Sequence, residues 1–167
     1  PMPRPRYYYI APTYSMAKRT AFDYLKEYTK NIPNTTFHET ELRCDLPNGA
    51  RIQLLGCERP NSLRGLAMDG VVLDEVAQMP PKLWSEVVRP ALVDRYELGL
   101  QYKFLSGTMI AIGTPQGHNA FFDLYDQAVH NNDWYAQSFK ASETNIISEL
   151  ELNEAKLLMP DEVYQAE

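Results

Sequence analysis

The chain has 167 residues, 44% apolar and 23% charged, ordinary values for one globular domain and too apolar for a disordered one. Sixteen Lys+Arg against twenty-two Asp+Glu give a formal charge of -6, which speaks against a small basic protein that coats nucleic acid but leaves room for a local positive patch. No apolar stretch approaches the roughly 18 to 20 residues that span a bilayer, and no charged head leads into an apolar run as in a signal peptide.

Pro1 to Arg6 is proline-rich and basic, an extended lead-in to a short strand over Tyr7 to Ala11 that Pro12-Thr13 stops. Ser15 is placed to cap the next helix, in which Ala17, Ala21, Tyr24, Leu25 and Tyr28 recur at helical spacing. From Thr36 to Gly56 the pattern changes. Glu41 to Leu46 alternates, Pro47-Asn48-Gly49 turns the chain, and Arg51 to Leu55 returns it, as in a β-hairpin. Cys44 and Cys57 beside this turn read as small buried residues rather than a disulfide or metal pair. The only histidines are His38, His118 and His130, and their spacing from the cysteines does not suit zinc.

After a polar loop from Glu58 to Gly65, Val71-Val72-Leu73 runs continuously apolar into Asp74-Glu75, as expected of an interior parallel strand. Pro80-Pro81 precedes a helix with Leu83, Trp84, Val87 and Val88, which Arg89-Pro90 should end. Tyr102 to Leu105 and Met109 to Ile112 supply strand material, the second stopping at Gly113-Thr114-Pro115. Phe121, Leu124, Tyr125 and Ala128 mark an amphipathic helix, and Trp134 to Phe139 alternates weakly, as a further strand would. Ser148 with Glu151 forms a capping box, flanked by Ile147 and Leu152 at staple positions. Pro160 should end that helix, with Asp161 capping a last turn. The expectation is one α/β unit over residues 1–167, three-layered and mostly parallel, with a hairpin insertion.

Asp74-Glu75 is the sharpest chemical signal. Ligands of parallel sheets bind beyond the carboxyl ends of the strands, and the bend there lets adjacent carboxylates reach one cleft. One acid can then hold the Mg²⁺ of a nucleotide and the other accept a proton from attacking water. A solvated pair closing a buried strand would read the same way. Gly113-Thr114-Pro115-Gln116-Gly117 brings a small hydroxyl to a second strand end, where it could sense the γ-phosphate, although a plain turn has this composition too. Ser62-Leu63-Arg64-Gly65 offers an arginine in a glycine-containing loop, suited to a phosphate or to simple exposure. No G-x-x-x-x-G-K-[ST] occurs, so tight triphosphate binding has no evident basis within this stretch.

Taken together, Tyr9 to Thr13, Asn48 to Ile52, Ser62 to Gly65, Val71 to Glu75 and Gly113 to Gly117 resemble the ATPase domain of the large terminase subunit of tailed bacteriophages. The likeness continues through Phe121 to Tyr125, Trp134 to Phe139 and Met159 to Tyr164. It implies a P-loop NTPase core of the ASCE or RecA-like kind, ATP and Mg²⁺ as cofactors, and double-stranded DNA as the cargo packaged. It further implies a homo-oligomeric ring, a portal protein and a small terminase subunit as partners, no membrane, and a place in the host cytoplasm, transiently docked on the procapsid. On this resemblance Asp74 matches the Walker B aspartate that holds the metal and Glu75 the catalytic glutamate. Gly113 and Thr114 match the motif that couples nucleotide to motion, and Arg64 an arginine acting in trans. Pro12-Thr13 matches the turn after the motor's second strand, whereas Met16 replaces the usual glutamine.

Family members carry a Walker A strand before the Tyr7 strand and a nuclease domain beyond the equivalent of Glu167, so the sequence resembles an internal piece of the enzyme. The Walker A strand would lie between the Gly113-Thr114 strand and that of Trp134 to Phe139, and its absence predicts a chain that self-associates or is marginally stable. A helicase-like ATPase of the same fold and a non-catalytic binding or assembly module are the alternative readings.

Overall fold

The computed structural model describes residues 4–102, 106–144 and 147–159. The chain divides into two compact units, Pro1–Gly113 and Thr114–Glu167.

The first unit is organised by a six-stranded sheet in the order β2-β3-β4-β1-β5-β6. Its strands are β1 (Arg6–Ala11), β2 (Thr36–His38), β3 (Arg43–Asp45), β4 (Arg51–Gly56), β5 (Gly70–Leu73) and β6 (Thr108–Ala111). β4, β1, β5 and β6 are mutually parallel, and β3 and β2 extend the sheet antiparallel. The mostly parallel α/β reading therefore holds. The hairpin is not an insertion, however, because its second arm, β4, pairs with β1 along the whole length of both strands. Alternation in Arg51 to Leu55 shows that one face is apolar, but the pattern carries no information about which strand lies alongside.

Strand periodicity puts Tyr8 and Ile10 on one face of β1 and Tyr9 and Ala11 on the other. Tyr8, Ile10, Val71 and Leu73 are all buried, and so are Ala11 and Leu54 on the opposite face, so the centre of the sheet is covered on both sides. The Ala11 face is covered by one helical run: α1 (Tyr14–Ala17), a π-helical segment (Lys18–Phe22) and α2 (Asp23–Thr29). Ala17, Phe22, Leu42 and Leu54 close over Ala11, with Tyr9, Met16, Ala21 and Leu25 at the margin. This cover thins towards β6. In the row Leu54, Tyr9, Val72, Ile110, the first is buried, the middle two half-buried, and Ile110 is 59% exposed. Among the described residues no strand pairs with the outer side of β6.

Several local expectations change. Thr13, not Ser15, caps α1: its extended backbone leaves Oγ1 free to accept from Met16 N at 3.1 Å, whereas Ser15 already lies in the first turn. Pro90 does not end its helix. A π-helical turn, Trp84–Val88, in which Arg89 N reaches back five residues to Trp84 O, runs directly into α3 (Arg89–Tyr102), so the helical run passes through Pro90 after a wide turn. Tyr102 consequently closes a helix rather than opening a strand, and Lys103 to Leu105 lie outside the described residues. Both cysteines are free and buried, Cys44 on β3 and Cys57 just past β4.

In the second unit Asn119 caps α4 (Ala120–Val129), which buries Leu124 and Ala128, and α5 spans Ala141–Thr144. The capping box of Ser148 and Glu151 opens α6 (Glu149–Leu158) as expected. Pro160 and Asp161 lie outside the described residues. Trp134 to Phe139 forms no strand. Among the described residues of this unit no other strand offers it the backbone partners a strand requires, and Tyr135 and Phe139 are exposed. No helix among the described residues is long and apolar enough to cross a membrane.

The amino edge of the sheet is fastened by Asp69, a fully buried carboxylate just before β5. It accepts from Arg95 Nε (2.9 Å) and Nη2 (3.1 Å) of α3, from Arg6 N of β1 (2.7 Å) and from Ser106 Oγ (3.2 Å). Removing one member of such a pair strands the other in a low dielectric. Asp69→Ala should therefore cost about 3–5 kcal/mol, read as a lowered midpoint in urea denaturation.

Candidate active site

At the carboxyl edge of the parallel strands four chain segments turn together. β1 ends in Pro12-Thr13, β4 in Gly56, β5 in Asp74-Glu75, and β6 runs through Ile112 to Gly113. Backbone bonds carry the register past the strand ends. Asp74 N donates to Ile10 O (2.9 Å), Cys57 N to Ala11 O (3.0 Å) and Ile112 N to Leu73 O (2.9 Å).

The bend expected after Leu73 is built by Glu75, whose φ of 56° and ψ of 49° lie in the left-handed region. A side chain there crowds its own carbonyl, so the conformation costs about 1 kcal/mol or more and persists only where its surroundings impose it. They do. Val76 N donates to Ile112 O (3.1 Å) and Gln78 N to Glu75 O (2.9 Å), closing a short 3₁₀ turn over Val76–Gln78. Gly113 lies against the same bend, where a Cβ would meet Val76 N at 3.0 Å and the Glu75 Cα at 3.3 Å, so any larger residue would press on the bend.

Asp74 and Glu75 are both half-buried. Asp74 Oδ2 accepts a hydrogen bond from the Tyr9 hydroxyl across β1 and β5. Burial, then the bond and the negative charge of Asp74, push the Tyr9 phenol well above its ordinary range, so it stays protonated and donates. Among the described residues no group of three or more acidic, histidine or cysteine side chains forms a metal cage. One or two carboxylates at a strand end nevertheless suit Mg²⁺, which keeps several waters and shares the ligands of nucleotide phosphates.

Beside this edge, Gly56 lets the start of α1 approach β4: a Cβ there would meet Tyr14 N at 2.2 Å. Glu58 Oε1 accepts from that same Tyr14 N at 2.6 Å. The first helical amides are thus satisfied by Thr13 and Glu58.

Arg64 lies elsewhere in its contacts. It follows a 3₁₀ turn (Pro60–Leu63) and donates from Nε to Asn61 Oδ1 (3.1 Å), from Nη1 to Glu86 O (3.2 Å) and from Nη2 to Glu86 Oε2 (2.9 Å). Arg64 thus gives the Glu86 carbonyl, in the π-helical turn before Pro90, a side-chain donor. Its side chain remains half-exposed. Thr114 is the first residue of the second unit, half-buried, and bonded through the chain to Gly113.

The sequence reading missed Tyr9, Glu58 and Glu86. Tyr9 stands in a run of three tyrosines whose facing is set only by pairing with β5, and the partners of Glu58 and Glu86 are distant in sequence.

No family model matches the chain. Over 68 residues it is 37% identical to the large terminase subunits of Thermus phage G20c and Thermus virus P23-45, a match that takes in 41% of this chain and 12% of those proteins. The large terminase ATPase domain of Thermus phage P74-26 superposes with a TM-score of 0.64 at 22% identity, over 98% of this chain and 75% of that one. The large terminase of a further thermophilic bacteriophage gives 0.69 at 15% identity, over 97% of this chain and 39% of that one. Over the matched stretch the chain is similar to phage terminase large subunits, of which the match reaches only a small part. The structural matches establish the fold, a mixed α/β sheet like that of the solved terminase ATPase domains.

Left-handed strain at Glu75 predicts a separation of stability from function. Glu75→Gly should unfold at a higher urea midpoint than Glu75→Ala, by about 1 kcal/mol, because both lose the carboxylate but only glycine relieves the backbone.

Proposed function

We propose that this chain forms the hydrolytic part of a terminase motor, which cleaves ATP to drive double-stranded viral DNA into a procapsid. The observation that carries this reading is the acidic pair on a forced bend at the carboxyl end of a central parallel strand, with Gly113 packed on the same bend. The 37% identity to terminase large subunits supports it.

In this reading Asp74 is the carboxylate that holds Mg²⁺, directly or through water, and Glu75 accepts the proton of the water that attacks the γ-phosphate. Bound Mg²⁺ supplies neutralisation of the phosphate charge. The left-handed backbone holds the Glu75 carboxylate's attachment point fixed while leaving the side chain half-exposed to solvent. Gly113 and Thr114 pass the state of the nucleotide from the sheet edge to the second unit, since they are the covalent junction of the two. Arg64 acts in trans on a neighbouring subunit of a ring, after leaving Glu86. DNA is gripped electrostatically and without sequence preference. Of the basic residues near the amino terminus, Arg6 is already bonded to Pro5 O and Gly49 O, which leaves exposed Arg4, Lys18 and Arg19 as the better candidates. The motor would work in the host cytoplasm, docked on a portal and fed by a small terminase subunit.

In the natural full-length protein, Glu75→Gln should abolish ATP turnover while ATP binding, measured by calorimetry, stays within about two-fold. Unchanged turnover would remove Glu75 from the mechanism. Arg64→Ala should lower turnover about 10³-fold in the assembled ring and leave that of the dispersed subunit unaltered. An equal loss in both would mean that Arg64 acts only within its own subunit, through Glu86.

A further inference from the structure

Tyr9 lies on β1 opposite Val72, and its hydroxyl reaches past the end of β5 to Asp74 Oδ2. The ring sits on the margin of the core formed by Ala11, Ala17, Phe22, Leu42 and Leu54, so its body is held by apolar packing while its tip lies at the acidic edge. One hydroxyl therefore joins the central strand to the carboxylate that terminates β5. A carboxylate on a strand end has a free torsion about its Cα–Cβ and Cβ–Cγ bonds, and a donor bound to one oxygen removes most of that freedom. We propose that Tyr9 is a positioning residue for a divalent-cation site at Asp74, pinning Oδ2 so that the carboxylate is presented to the cation in one orientation.

This rests on the reading of Asp74 as a metal ligand, and the test separates the two. Mn²⁺ affinity is measured by electron paramagnetic resonance on the natural full-length protein with saturating ADP, for the wild type, Tyr9→Phe, Asp74→Asn and the double variant. Tyr9→Phe keeps the ring in the core and removes only the donor, so Mn²⁺ affinity should fall about ten-fold, as when an outer hydrogen bond to a metal ligand is lost. In the Asp74→Asn background the same substitution should add less than two-fold, because the two act through one contact. If Asp74→Asn leaves Mn²⁺ binding intact, the metal assignment of Asp74 is wrong. If Asp74→Asn weakens binding while Tyr9→Phe does not, Asp74 stands and the role of Tyr9 is overturned. A lower melting temperature of Tyr9→Phe with unchanged Mn²⁺ affinity would likewise reduce Tyr9 to a packing residue.

Discussion

β1 is hydrogen-bonded in parallel on both sides, and the acidic edge depends on that arrangement. A strand with β4 on one flank and β5 on the other sets the level at which both neighbours end. The carbonyls of Ile10 and Ala11 then accept from Asp74 N and Cys57 N, holding the first residue beyond each strand. Each such bond is worth only about 1 kcal/mol net. Their importance is geometric: a shift of β5 by one residue would turn Asp74 to the other face and carry it away from the Tyr9 hydroxyl.

The two ends of this sheet are under opposite mechanical conditions. At the amino edge Asp69 gathers Arg95, Arg6 N and Ser106 into a buried, fully bonded knot. At the carboxyl edge Glu75 is held in a left-handed conformation, and Gly113 lies so close to it that a methyl group would press on the bend. Strain of this kind persists only where the surrounding structure over-determines it, and the fastening at the far edge helps to keep the strand starts in place. The half-buried carboxylate pair thus sits on a fixed bend.

Arg64 ties the loop after the 3₁₀ turn to the helical run that follows β5. Its guanidinium donates to the Glu86 carbonyl and pairs with the Glu86 carboxylate, which also meets Lys82 at 3.3 Å. Exposed pairs of this type are weak, so the arginine is held in a defined place without being locked there.

The amino-acid sequence by itself determined several of the elements and the acidic pair that follows β5. Continuous apolarity in Val71 to Leu73, alternation in Arg51 to Leu55, the Ser148–Glu151 box and the Asp74-Glu75 pair are local patterns, set by side-chain period and capping, and all four stand in the structure. Only the tertiary structure decided which strands lie side by side, that the hairpin's second arm is a central strand, that Trp134 to Phe139 has no strand partner among the described residues of its unit, and that Tyr9 meets Asp74. The physical reason is that strand pairing and long-range hydrogen bonds join residues far apart in the chain. Many registers satisfy the same alternation, and the one adopted is chosen by packing over the whole sheet.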